Sequence, residues 1–442
     1  IKMRKMISVL LAGVLAVNLG ACSSAASKAS KEAESAAPAG TTAQESGGKR
    51  TLRIAGESWQ VTKLFLNEAA EAFMKDHPDV TVEVQTYADP TVVSNYSINW
   101  QKGDTPCDLV VIDGASFAEQ FVTKDLIYDF DQDLKFFDTY SKDKFIPAAL
   151  EMAKLHDKQY VIPVIQEVTA ININKAMFKD AGLVDENGDA LVPKTWDDVY
   201  EFAKKLTKTE NGVVTQQGCT IQWSKDIHGT VLGILQASCG GLYQEDGITV
   251  NFQSQEFKDI LAIWQKGVKE GVFSTETFAD YDAGKNSYKA GKVAMLLQSG
   301  SNWVEAIPTI GEENASVVPI PGGEENGSVG YVNGVIIPKC SPSSDLAVQF
   351  VQEQLLGEYT QTSTVNQYGK IPVITEYYNK TESPNWQNIK GSIEKAVTYP
   401  PYKDLGEFVI KCQEIFQASL VDGTDVNTTA EELQNMVNKL DK

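Results

Sequence analysis

Seven side chains stand where this sequence could do chemistry. Trp59 lies between a strand-like run and a helix-like run, Trp223 follows a short strand at 219–222, and Trp303 follows a strand at 293–297 and the small residues Ser299-Gly300-Ser301-Asn302. Each lies off any helical stripe, so its ring reads either as packing or as an exposed platform. Asp113 ends the apolar run 107–112, Gln166 and Glu167 interrupt a β-branched run that opens at Tyr160, and Asn333 sits within 330–338. Flat rings beside carboxylates and amides suit a ligand with an apolar C–H face and a belt of hydroxyls, as in a pyranose. Each neutral hydrogen bond nets only ~0.5–1.5 kcal/mol, so several such groups must converge on one cleft.

The elements that must position these groups read as α/β. Residues 51–55 predict a strand, 64–75 an amphipathic helix burying Leu64, Ala69, Ala72 and Phe73, and 80–84 an alternating second strand. Trp59 therefore falls at the carboxyl end of a strand in a βαβ unit, where open α/β sheets bind ligands. The continuous apolar run 107–112 is of the buried parallel kind and aims Asp113 at the same crevice. The other reading of Asp113 is a turn aspartate opening the segment 116–121. Thr195 caps a helix whose inner face carries Trp196, Val199, Phe202 and Leu206, and Trp264 shares helical spacing with Phe257, Ile260 and Leu261, so both tryptophans predict packing. Pro163 argues against one uninterrupted strand through 160–173, because proline cannot donate to a ladder. The stretch reads instead as a strand, a crossing between lobes, a second strand at 170–173, and a short helix stopped at Gly182.

A family resemblance rests on motifs in a fixed order. Ile162-Pro163, Asn174-Lys175, Phe178, Ala181-Gly182-Leu183 and Pro193-Lys194-Thr195-Trp196-Asp197-Asp198 come first; Gly240-Gly241-Leu242-Tyr243, Ala290-Gly291-Lys292-Val293-Ala294-Met295 and Val335-Ile336-Ile337-Pro338-Lys339 follow. In this order they resemble the extracellular solute-binding proteins of carbohydrate-type ABC importers, over nearly all of the chain after Arg50. The resemblance implies a periplasmic-binding-protein-like α/β fold of two lobes, each a mixed sheet flanked by helices, joined by three hinge crossings. It divides the chain into an N-terminal lobe of 50–162 and 334–370 and a C-terminal lobe of 163–333 and 371–442. It further implies capture of a sugar or oligosaccharide by hinge closure and delivery to an ABC permease and, through it, a cytoplasmic ATPase. Ile171-Asn172-Ile173 departs from the family, many members of which carry aromatics there.

At the start, Arg4 and Lys5 precede an apolar run over 7–19. It is too short for a membrane-spanning helix of ~20 residues and fits a signal-peptide core. Leu19-Gly20-Ala21-Cys22 resembles the bacterial lipoprotein box. The expectation is a signal peptide over 1–21, lipidation at Cys22, and a tether over 22–49 too poor in apolar residues to fold. The mature chain would then stand at the extracellular face of the bacterial cytoplasmic membrane, touching it through the lipid alone. The chain carries a net charge of −20, and its first 48 residues hold five basic and three acidic groups, so the remainder carries −22. That balance opposes nucleic acid and anionic membrane surfaces as partners.

Enzymatic and metal signatures are weak. Five cysteines follow Cys22 without CxxC spacing; only Cys219 with Cys239 could suit a bridge, and buried free thiols are the favoured reading. Gly284-Lys285-Asn286 and Gly291-Lys292-Val293 lack the rest of a P-loop, Gly114-Ala115-Ser116-Phe117-Ala118 lacks the last glycine of a nucleophile elbow, and 185–196 lacks the glycine and last carboxylate of a calcium loop. The sequence thus predicts a monomeric binding protein with no catalytic residue, cofactor or metal. Two alternatives stay open: a secreted carbohydrate-active enzyme, which needs only two carboxylates, and a receptor for a peptide, polyamine or metal ion.

Overall fold

A computed structural model of the chain describes residues 49–87, 91–381, 383–400, 402 and 405–441. The expected signal peptide, Cys22 and nearly all of the tether lie outside them. Among the described residues no helix is long and apolar enough to cross a membrane.

The chain opens with β1 (Arg50–Glu57), which pairs in parallel with β2 (Val80–Tyr87) and with β3 (Leu109–Asp113). Burial follows the apolar pattern: Leu52, Ile54, Leu109, Val110 and Val111 are fully buried, each stabilising the lobe by roughly 1.5–3 kcal/mol. The expected helix over 64–75 forms as Leu66–Asp76, and a short helix not expected from the sequence, Ser58–Lys63, precedes it, the two separated where Phe65 adopts a left-handed conformation (φ 54°). Trp59 consequently sits on the first turn of a helix directly after β1 rather than in a loop.

β4 (Ile162–Asn174) is the spine of the molecule: thirteen residues, every one buried. It is a single strand, contrary to the break expected at Pro163. The proline is tolerated because the partner strand shifts register between Asn333 and Gly334, with Pro163 opposite Gly334. A bulge removes the regular ladder contact that proline cannot make. In the second lobe, β5 (Lys208–Glu210), β6 (Val213–Ile221), β7 (Phe273–Ser274), β8 (Val293–Ser299) and β9 (Ala315–Val318) precede the return strand β10 (Gly330–Ile336) and the two-residue β11 (Ile371–Pro372). The order is β2-β1-β3-β10-β4-β8-β6-β5, with β9 and β11 on β4 and β7 on β6. The first half of β4 pairs with β10 and β11, and its second half with β8 and β9, so one strand belongs to both lobes.

Two large cores flank this spine. One gathers Leu52, Phe73, Val110, Phe121, Ile162 and Val335; the other gathers Ile173, Trp196, Trp223, Trp264, Leu297 and Phe416. Thr195 caps its helix through a reciprocal pair with Asp198, as the sequence predicts. The segment after β11 was expected to join the second lobe directly. Instead Ile374, Tyr378, Trp386, Ile389 and Ile393 pack in the first core, while Asn385 and Asn388 bond to β9. From Val397 and Tyr399 onward, with Tyr402, Phe408 and Phe416, the chain packs on the second core.

Candidate functional site

Strand pairing brings the polar groups of the sheet onto one face. Asn333 stands opposite Asp113, and Tyr331 opposite Glu167. Positions two apart on a strand share a face, so Tyr331 and Asn333 point the same way as Asp113 and Glu167. Gln166, between Ile165 and Glu167, turns to the other face beside Val332. Both atoms of its amide are buried without a partner.

Each lobe then adds a wall. Trp59 donates its indole N–H to Glu57 Oε2 at 2.9 Å, and its ring lies under the Lys370 ammonium, 5.7 Å from the centroid. Gln60 donates to Asn333 Oδ1 at 3.0 Å, leaving Asn333 Nδ2 buried and unpartnered. From the second lobe come Asp226, which accepts from Tyr281 Oη at 2.5 Å, and His228, whose ring meets Tyr399 at 4.6 Å. Tyr399 stacks on Tyr331 with centroids 5.9 Å apart. Asp113, His228, Tyr281, Tyr331 and Tyr399 keep some accessible surface although protein encloses them, and Asp226 beside Tyr281 is partly exposed. That combination is the signature of groups lining a narrow cleft.

Electrostatics tie these groups together. Burial, reinforced by Glu167, Asp226 and Glu57, raises the Asp113 carboxyl to about 7 despite the opposing Lys370. Burial would also raise Glu167, but the Lys370 ammonium at 2.6 Å, with a hydrogen bond from Ser299 at 2.5 Å, outweighs it and holds that carboxyl below its ordinary range. Burial pushes the Tyr331 and Tyr399 phenols far up, with the neighbouring carboxylates adding to it, and keeps His228 neutral by lowering it.

The sequence-predicted set is thus partly assembled. Trp59, Asp113, Glu167 and Asn333 meet in the cleft, and Gln166 does not share their face. Trp223 is a correction: it is fully buried, stacked between Phe278 and Phe416 and edge-on to Trp264, with its indole N–H on the Ser274 carbonyl. Its strand-end position was read as exposure, but the final helices fold over it. Trp303 is 6 % exposed and packs edge-on against Trp386, its indole N–H buried without a partner. Sequence reasoning missed Tyr331, Tyr399, Asp226, His228, Tyr281 and Lys370. Tyr331 was recoverable, being two residues before Asn333 on an alternating strand; the others reach the cleft only through the tertiary fold. Asn172, in the stretch that departs from the family, bonds to the carbonyls of Leu296 and Ser299 and accepts from the Trp303 backbone, so it holds the loop that presents Ser299 and Ser301 to Glu167.

A two-lobe α/β body with a polar cleft crossed by shared strands defines a ligand-capturing receptor. A family model for the bacterial extracellular solute-binding proteins matches residues 68–391, and the chain belongs to that family. No curated protein sequence matches it. Among solved structures it resembles the ABC substrate-binding protein Lmo0181 from Listeria monocytogenes, in complex with cycloalternan, at 18% identity over 88% of this chain and 98% of that one, with a TM-score of 0.70. It also resembles the GacH receptor of Streptomyces glaucescens, solved unliganded and with acarbose (17% identity, 89% and 100% covered, TM-score 0.71). An ABC transporter solute-binding protein of Thermotoga lettingae bound with α-D-tagatose is similar at 21% identity, 88% and 100% coverage and a TM-score of 0.71. At these identities the likeness establishes the two-lobe fold.

Proposed function

We propose that this chain is the extracellular receptor of an ABC importer, capturing a sugar or oligosaccharide in the interlobe cleft and delivering it to the permease and its cytoplasmic ATPase. The observation that carries this reading is the convergence of aromatic rings, Trp59, Tyr331 and Tyr399, with carboxylates and an unpartnered amide at Asp113, Glu167, Asp226 and Asn333. Rings cover the C–H face of a pyranose, and acceptors and donors take its hydroxyls. The carbohydrates bound by the similar structures support the same ligand class.

Binding works by population shift. A ligand touching both walls favours the closed arrangement over the open one by its differential affinity, and the permease reads the closed form. No bond is made or broken, and no cofactor or metal takes part. The receptor is a monomer, secreted by the segment 1–21 and held by lipid on Cys22 at the extracellular face of the cytoplasmic membrane, with 22–49 as tether. The two lobes are 50–162 with 334–370, and 163–333 with 371–442, the segment 371–394 packing on both.

The test is calorimetry and tryptophan fluorescence on the full chain in detergent, against mono- and oligosaccharides, peptides, polyamines and divalent ions, with chromatography of each sugar afterwards. Saturable binding of an unaltered sugar, lost in Trp59→Ala, is expected. Sugar cleavage would move the protein to the enzymes, and a response confined to peptides, amines or metals would overturn the ligand class.

A further inference from the structure

We propose that the sugar this cleft selects carries a basic nitrogen, an amino sugar held between Asp113 of the first lobe and Asp226 of the second; the proposal rests on the sugar-receptor reading above. Three carboxylates reach the cleft from opposite walls: Glu57 and Asp113 at the ends of β1 and β3, and Asp226 at the start of the helix Ile227–Ser238. Glu167 lies between them on the shared strand. Two ammonium groups act on this cluster, and both are committed: Lys370 to Glu167 at 2.6 Å and Lys63 to Glu305 at 2.6 Å. Among the described residues neither Asp113 nor Asp226 has an ion-pair partner. Lys225 and Lys285 are turned to the Tyr281 ring, 5.4 and 5.5 Å from its centroid, and Lys285 is also paired with Asp282. His228 lacks a charge to offer, since burial keeps it neutral.

Two unpartnered atoms say what the ligand brings. Asp113 Oδ1 is buried without a hydrogen bond and requires a donor. Asn333, fully buried on the adjacent position of the same sheet face, has its Nδ2 unpartnered and requires an acceptor. A buried polar group left unpaired costs about as much as a lost hydrogen bond or more, so both point to a ligand atom. A hydroxyl oxygen serves Asn333. For Asp113 an ammonium does more than a hydroxyl, because hydrogen bonds between ions are roughly twice as strong as neutral ones.

Closure supplies the physical reason for a charge. Bringing the lobes together sets Asp113 against Asp226, and two carboxylates in an enclosed site repel, which pushes Asp113 toward its protonated form while the cleft is empty. A neutral sugar supplies hydrogen bonds but leaves that repulsion in place. A protonated amine removes it, and does so only in the closed arrangement where both walls meet. Its differential affinity for the closed state therefore exceeds that of the neutral sugar of the same shape.

The experiment measures, on the full chain in detergent at low ionic strength, the dissociation constants of matched pairs: glucose and glucosamine, galactose and galactosamine, and β-1,4-linked di- and trisaccharides of glucosamine with their N-acetylated, uncharged forms. The amine of a pair is expected to bind at least tenfold tighter, with the advantage falling below threefold in Asp113→Asn or Asp226→Asn. Should either variant fail to fold, the parent protein still decides, because the amine's advantage must shrink as salt is raised while neutral binding stays level. Neutral members binding as tightly as amines overturn the inference and leave the sugar-receptor reading standing. Binding by no member of either series overturns both.

Discussion

Lys370 Nζ lies 2.6 Å from Glu167 Oε1, and the two side chains are only 8 % and 3 % exposed. The pair fastens β11 to the strand shared by both lobes, while Ser299 and Ser301 reach the same carboxylate from the end of β8. Breaking one partner leaves the other buried and uncompensated, which typically costs ~3–5 kcal/mol. Glu167→Gln should therefore lower the urea midpoint markedly, and Glu167→Gln with Lys370→Met should recover part of the loss. Because the Glu167 carboxyl is held below its unfolded value, its contribution is present above about pH 4.3 and vanishes as pH falls through the lower folded value. Unfolding curves of parent and single variant should converge in acid; a constant gap would deny the pair its role.

Asp113 runs the other way. Its carboxyl is raised to about 7 by burial and by Glu167, Asp226 and Glu57, against Lys370, so the folded chain holds a proton that the unfolded chain has lost. Stability from this group declines as pH rises from about 4 to about 7 and is level above that. Asp113→Asn should lift the melting temperature more at pH 7.5 than at pH 4.5. An increment independent of pH would remove Asp113 from the charged cluster.

Glu305 accepts from Lys63 at 2.6 Å and from Lys289 at 3.1 Å, so one carboxylate joins the helix after β1 in the first lobe to two helices of the second. Burial would raise it, yet the two ammonium groups hold it at about 2. All three side chains are a quarter or so exposed, and a partly screened pair of this kind is worth up to ~1 kcal/mol. Lys63→Met should speed release of a bound sugar roughly fivefold and flatten its salt dependence. Unchanged release kinetics in stopped-flow fluorescence would show that this clasp does not bear on closure.

Trp223 and Trp59 should separate stability from binding. Trp223→Ala opens a cavity among Trp264, Phe278 and Phe416, and truncating such a buried ring costs ~3–5 kcal/mol. Trp59→Ala, at a half-buried ring on the cleft wall, should leave the unfolding midpoint nearly unchanged and weaken sugar binding at least tenfold. Calorimetry and denaturation on both variants check the pair; the opposite pattern would reinstate Trp223 as the platform.

Gln166 offers a sharper contrast, since both amide atoms are buried and unpartnered. Gln166→Leu removes that desolvation penalty, roughly 1–3 kcal/mol, and should raise the melting temperature with sugar affinity intact. A loss of affinity instead would return Gln166 to the ligand set.

The sequence by itself determined the α/β class, the first three strands, and the strand ends that carry Trp59 and Asp113, because those depend on local periodicity and on where a parallel strand must stop. It also determined that Glu167 and Asn333 lie on chain segments crossing between lobes. Only the tertiary structure decided which rings face the cleft. Trp223 and Trp303 share the strand-end signature of an exposed platform, but helices arriving from 384–420 cover them. Tyr399 reaches Tyr331 from 68 residues further along the chain, and Lys370 reaches Glu167 from 203. Pro163 misled locally because the bulge that accommodates it, at Val164, exists only in the pairing with a strand 171 residues away, at Gly334. Local pattern fixes what each segment can be; the pairing of distant segments fixes which of its faces is left for a ligand.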